Sequence, residues 1–185
     1  MNKEIVKELP LYKTGEITKT YSEILWYTNN FKLVPITEGV DSIAIRIWCN
    51  YPDNKTQIVE LFKTNGQWAA NFYHFNFKYY NNDSITWISR QIKSEVPKSG
   101  WDKCIDKLFS QGLLSLPNFT ELPKYHLNKI GNSEVVVEFV TDEKYKLYSY
   151  PVPAQNESFV PQAKQIENIL DVIEDEFSFK RFEIL

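Results

Sequence analysis

Cysteine, histidine, methionine and glycine are all scarce in this chain: 185 residues include two Cys, two His, one Met and six Gly. Each scarcity excludes something. Two cysteines, Cys49 and Cys104, cannot build a disulfide-dense scaffold, and their spacing matches no metal-ligand pattern. Cys49 falls on a strand and Cys104 on the inward face of a helix. One bridge between them is geometrically open, but the reading adopted is two buried, reduced thiols. The histidines, His74 and His126, each follow a tyrosine and lie beside no nucleophile signature. No Gly-x-Ser-x-Gly run occurs. Nucleophile–base chemistry therefore has no motif to stand on. The glycines form no strand-to-helix run that cradles phosphate. No apolar stretch reaches membrane-spanning length. Formal net charge is −3, with both signs mixed along the chain. That balance lacks the basic footprint of a nucleic-acid binder.

Aromatic residues and alternating strands are what the chain does have. Aromatics make up 15% of residues and hydrophobics 43%, enough for a bulky core in a strand-rich fold. Asn65-Gly66 between Gln57–Thr64 and Gln67–Phe75 predicts a two-residue hairpin with positive φ at both turn positions. That turn opposes Lys63 to Trp68, Leu61 to Ala70 and Val59 to Phe72. Ser42–Cys49 alternates cleanly. Beyond Phe72, the odd positions Tyr73, Phe75, Phe77 and Tyr79 are apolar. Either that strand is covered on both faces or a bulge near Asn71 switches its parity; the bulge is the preferred expectation. Ile85–Ile92 adds a strand. A second hairpin joins Glu134–Val140 to Tyr145–Tyr150, with Val140 opposite Tyr145, Val137 opposite Tyr148 and Val135 opposite Tyr150.

Two helices are expected. Ser99 reads as the N-cap of the first, with buried Cys104, Ile105, Leu108 and Phe109 and a stop at Gly112. The second starts at Pro161 and buries Ala163, Ile166, Leu170 and Ile173. Glu23–Tyr27 and Phe31–Ile36 read as short strands around an Asn29-Asn30 turn. Residues 1–20 read as a possible N-terminal arm and 21–185 as one domain. The architecture expected is α+β: a curved, mostly antiparallel meander sheet of six to eight strands with two main helices packed on it.

Candidate chemistry is thin. Glu60 and Glu138 interrupt apolar strands, and Arg46 on a neighbouring strand is the natural partner of a buried carboxylate. These three form the candidate ligand-binding set. The candidate partner-binding set lies at the C-terminal end: the acidic helix face of Glu167, Asp171 and Glu174, and the apolar tail with Phe179 and Phe182. No metal site and no cofactor are expected.

The order Arg46-Ile-Trp48, Val59-Glu-Leu61, Asn65-Gly-Gln-Trp68, Ser99-Gly-Trp101, Leu116-Pro117, Tyr150-Pro151 and a final amphipathic helix resembles a class of uncharacterised single-domain bacterial proteins. The resemblance spans roughly residues 40–178 and rests on turn, cap and core positions. It implies a fold and no catalytic residue. Such chains often carry an export or lipoprotein leader, which makes a cell-envelope location an implication of the resemblance. The first nine residues lack the apolar core of a signal peptide, so the chain as written reads as cytoplasmic unless a leader has been removed.

The functional expectation is a noncatalytic protein-interaction module, an envelope accessory or an immunity-type inhibitor. The alternative is a small-ligand carrier with a cavity between the sheet and the Ser99–Gln111 helix.

Overall fold

The structure is a computed structural model that describes residues 5–12, 14–40, 42–51, 54–81, 84–123, 134–151, 153–158 and 160–181. His126 and Phe182 lie outside the described residues. Among the described residues seven strands form one sheet: β1 (Val6–Glu8), β2 (Ile43–Tyr51), β3 (Lys55–Thr64), β4 (Gln67–Asn81), β5 (Ser84–Glu95), β6 (Glu134–Thr141) and β7 (Lys144–Pro151). Their spatial order is β1-β7-β6-β2-β3-β4-β5. Strands β2 to β5 follow as a meander, while β6 returns to pair with β2. All pairings are antiparallel except that of β1, which lies parallel to β7. The N-terminal stretch thus supplies one edge of the sheet.

The hairpin registers follow from the letters. Asn65 and Gly66 have φ of 52° and 79°, as the turn requires. Lys63, Leu61 and Val59 oppose Trp68, Ala70 and Phe72. In the second hairpin Val140, Val137 and Val135 oppose Tyr145, Tyr148 and Tyr150. The expected bulge near Asn71 is absent: β3 and β4 stay in register from Lys55↔Asn76 to Thr64↔Gln67. The strand is instead covered on both faces.

Helices α2 (Trp101–Ser110) and α4 (Pro161–Glu176) cover one face. Their residues Cys104, Ile105, Leu108, Ala163, Ile166 and Ile173 share a core with Ile45, Ile47, Val59, Leu61 and Phe72. Short α3 (Pro153–Asn156) precedes α4. Ser99 is not the cap of α2. Gly100 holds that position with φ 85° and no side-chain bond. The Ser99 N–H instead donates to Glu176 Oε2 at 2.8 Å, which docks the start of α2 on the end of α4.

The opposite face carries α1 (Lys19–Phe31), where a strand over Glu23–Tyr27 and the Asn29-Asn30 turn were expected, and the second expected strand, Phe31–Ile36, is irregular chain beyond Phe31, the last residue of the helix. Thr20, Ile24, Tyr27, Thr28 and Phe31 are buried at helical spacing. The helix closes on Lys32 in the left-handed region, φ 57°, with Leu33 N–H to Thr28 O at 3.0 Å and Lys32 N–H to Asn29 O at 3.2 Å. This is a Schellman closure with lysine where glycine is usual. Ile24, Tyr27 and Phe31 pack on Ala44, Trp48, Ile58, Phe75 and Phe77. Both expected helices are present as α2 and α4, and among the described residues α1 adds a third of ten residues or more, on the other face.

Candidate functional site

A strand buried on both faces has nowhere to put a polar side chain except against another. Arg46, at the middle of β2, is 0% exposed. Register places it opposite Glu60 on β3 and Glu138 on β6, so the three candidate ligand-binding residues form one rung under α1. The rung continues outward: Glu60 lies opposite Asn71 on β4, and Asn71 opposite Ser94 on β5.

Hydrogen bonds run along the rung. Arg46 Nη2 donates to Glu60 Oε1 at 2.6 Å and to the Val34 carbonyl at 3.0 Å. Glu60 Oε2 accepts from the Tyr73 hydroxyl at 2.7 Å and from Asn71 Nδ2 at 3.3 Å. Asn71 Oδ1 accepts from the Ser94 hydroxyl at 2.8 Å. At the inner end, Trp48 Nε1 donates to Glu138 Oε2 at 2.7 Å and the Tyr145 hydroxyl to Oε1 at 2.9 Å. Arg46 Nη1 is 3.7 Å from Glu138 Oε2, an ion pair without a hydrogen bond, and Arg46 Nε and Nη1 have no hydrogen-bond partner among the described residues.

The two carboxyls are therefore tuned in opposite directions. Burial works against charge on Glu60, but Arg46, Tyr73 and Asn71 outweigh it and hold its carboxyl below the usual value. At Glu138 burial wins over Arg46, Trp48 and Tyr145, and its carboxyl is lifted. Burial and the bond to Glu60 push the Tyr73 hydroxyl up to about 12. Burial opposes charge on Arg46, yet Glu138 and Glu60 keep the guanidinium firmly protonated.

An open pocket of about 870 Å³ lies at the outer end of this row. Glu60, Asn71 and Tyr73 form its polar end, and Val34, Ile36, Val40, Ala44 and Phe62 are among its apolar walls. The chain between α1 and β2 makes one side, and the Asn65-Gly66 turn closes an end. Lys63 also borders it, but its ammonium sits over the Trp68 ring at 5.8 Å, and Trp68 packs against the core of the α2/α4 face. Arg46 grips the Val34 carbonyl and Glu60 at once, so one buried guanidinium positions both a wall and the acid.

The expected carrier cavity lay between the sheet and α2. That space is occupied by Cys104, Ile105 and Leu108 packed on the sheet, and the pocket opens on the other face.

The candidate partner-binding residues are placed differently from the expectation. Arg181 reaches back to α4 and binds Glu167, Asp171 and Glu174 at 2.8, 2.9 and 2.8 Å. All three acids are thus bound by one cation of the chain itself. Phe179 is 3% exposed, with its ring 5.4 Å from that of Phe72. Its apolar surface is taken up by the core, because the stretch after α4 folds back across the sheet, where Gln57 Nε2 donates to the Lys180 carbonyl at 2.8 Å.

Both cysteines are buried and free, with burial raising Cys49 to about 12 and Cys104 to about 11. His74 is half-buried beside Gln57, and burial together with Lys93 lowers its pKa. No group of three or more His, Cys, Asp or Glu among the described residues is arranged to hold a metal ion, and no described helix is long and apolar enough to cross a membrane.

Sequence reasoning named Arg46, Glu60 and Glu138 but missed Trp48, Asn71, Tyr73 and Tyr145. Asn71 was within reach, since the Asn-Gly register that opposes Leu61 to Ala70 also opposes Glu60 to Asn71. Tyr145 and Trp48 had no such signal, because their contacts are diagonal across β6. Compared with models of protein families, with curated proteins and with solved structures, the chain matches none, so its functional reading rests on this geometry.

Proposed function

We propose that this chain is a noncatalytic small-molecule-binding protein, with its ligand site in the α1-face pocket. The observation that carries the reading is a pocket of about 870 Å³ with apolar walls and one polar end. Small-molecule sites have that size and that division of labour. The polar end is set before any ligand arrives: Glu60 is held by Arg46, Asn71 and Tyr73, and fixed polar groups lower the ordering cost of binding. The lowered carboxyl of Glu60 suits a permanent acceptor better than a proton carrier near neutral pH.

The test is a small-fragment screen by amide NMR. Fragments that bind are expected to shift residues 34–44 and 60–73. Val34 borders the pocket yet is 74% exposed, so Val34→Trp fills the space without removing a core contact and is expected to abolish those shifts. A screen in which no fragment moves these residues sinks the reading.

A second reading keeps a protein partner but moves it. Strand β5 ends the sheet order, pairs only with β4 among the described strands, and exposes Ile88 and Ile92 at 55% and 50%. An extended segment of a partner protein would add there as an eighth strand. Ile92→Lys is expected to lose such a partner while leaving the pocket shifts intact.

A further inference from the structure

The hydrogen-bonding groups of the pocket are more selective than its shape. Assigning them a ligand head rests on the pocket being the ligand site. Glu60 Oε1 accepts one hydrogen bond, from Arg46, and keeps an accepting lone pair. The Tyr73 hydroxyl gives its proton to the bond with Glu60 and is left as an acceptor. Asn71 Oδ1 accepts only from Ser94, so it too can take another donor. Beside these three acceptors the polar end keeps one side-chain N–H, the second hydrogen of Asn71 Nδ2; the Asn65 amide, at the turn end of the pocket, carries both donors and an acceptor. The hydroxyls of Ser42 and Thr64, which also border the space, can serve either way.

Charge points the same way. Arg46 is the only cation in the rung and faces two carboxyls, at 2.6 and 3.7 Å. Lys63, which also borders the pocket, is turned to Trp68 on the far side of the sheet. Among the described residues, Glu60 is the only acid bordering it. A ligand head entering here meets acceptors and a shared counter-charge.

We propose that the pocket takes a primary ammonium group carried on an apolar body. An ammonium brings three donors and no acceptor, which complements the three open acceptors. Its apolar body would lie along Val34, Ile36, Val40 and Phe62. At the polar end a carboxylate or phosphate head would meet Glu60 at close range and find one side-chain N–H, that of Asn71, to bind.

Three probes that differ only at the head decide it: hexylamine, hexanol and hexanoate, each titrated near neutral pH and followed by amide NMR. Hexylamine is expected to bind about tenfold more tightly than hexanol, the ratio that one charge-assisted hydrogen bond supplies. Hexanoate is expected to be the weakest. Tyr73→Phe, which removes one acceptor and keeps the ring, is expected to weaken hexylamine about threefold, and hexanol by less because it brings one donor rather than three. Val34→Trp is expected to remove all binding. If hexanol or hexanoate binds as tightly as hexylamine, the ammonium assignment is overturned while the pocket stands as a ligand site. If none of the three shifts residues 34–44 or 60–73, both fail.

Discussion

The two faces of this sheet are built on different principles. The α2/α4 face is an apolar interlock of Ile, Leu, Val and Phe, in which helix stripes meet alternating strand residues. The α1 face mixes aromatic rings with a rung of charged and hydroxyl side chains. An apolar face is held by area removed from water, and any similar filler does nearly as well. A polar rung is held by mutual satisfaction, and each member depends on the rest. The first kind of face gives stability. The second fixes where particular atoms sit, and it is the one with the pocket.

The largest expected effect comes from breaking the rung at its centre. Arg46→Met leaves two buried carboxyls without their cation and is expected to cost about 3–5 kcal/mol in urea unfolding near neutral pH. Replacing Glu60 and Glu138 by Leu in the same chain is expected to recover part of that loss, because no carboxyl is then left without its cation while the Trp48, Tyr73 and Tyr145 donors lose their acceptors, but not the pocket's binding of hexylamine. Leu108→Ala on the other face has a comparable expected cost, about 2–5 kcal/mol, and no neighbouring substitution of charge should recover it. Equal rescue on both faces would erase the distinction.

A smaller effect separates the two carboxyls. Folded Glu60 lies below its ordinary 4.5, so its pairing supports the fold above that pH and the support is lost as pH falls through the lowered value. Folded Glu138 lies above 4.5. The folded state therefore holds that proton more tightly, and its support drains away as pH rises from 4.5 through the lifted value. Glu138→Gln cannot ionise, so its stability is expected to fall less than the wild type's across that rise. Urea midpoints measured from about pH 4 to neutral check this, and parallel curves for the two chains refute the assignment. The smallest expected effect is at the end of α1. Lys32→Gly relieves a left-handed residue and is expected to stabilise by about 1 kcal/mol, read as a raised Tm.

The same contrast explains what could be read from the letters. The α2/α4 face announces itself: Asn65-Gly66 sets a register, Ile43 to Cys49 alternate, and Pro161 and Gly112 punctuate helices. The α1 face hides. The helix starts at Thr18 without a side-chain cap and has no acid in its first turn. It stops at a lysine rather than a glycine. Its aromatic and β-branched residues mimic a strand. Without that second layer, the odd apolar positions of β4 had no cover and called for a bulge. Arg46, Glu60 and Glu138 were visible as interruptions of apolar strands. The pocket was not, because one of its sides is the irregular chain between α1 and β2, which no periodicity describes.

The return of β6 to the centre of the sheet has a consequence for how the chain acquires its shape. Trp48 and Glu138 are bonded across 90 positions of sequence. During synthesis the β2–β5 meander is complete long before β6 emerges, so one border of β2 must wait, open and rich in isoleucine. Closing that gap carries a large loop entropy at a single late step. The nascent chain is most vulnerable to sticking to its neighbours in that interval, and a chaperone that engages the waiting border would be expected to let go when Glu138 reaches Trp48.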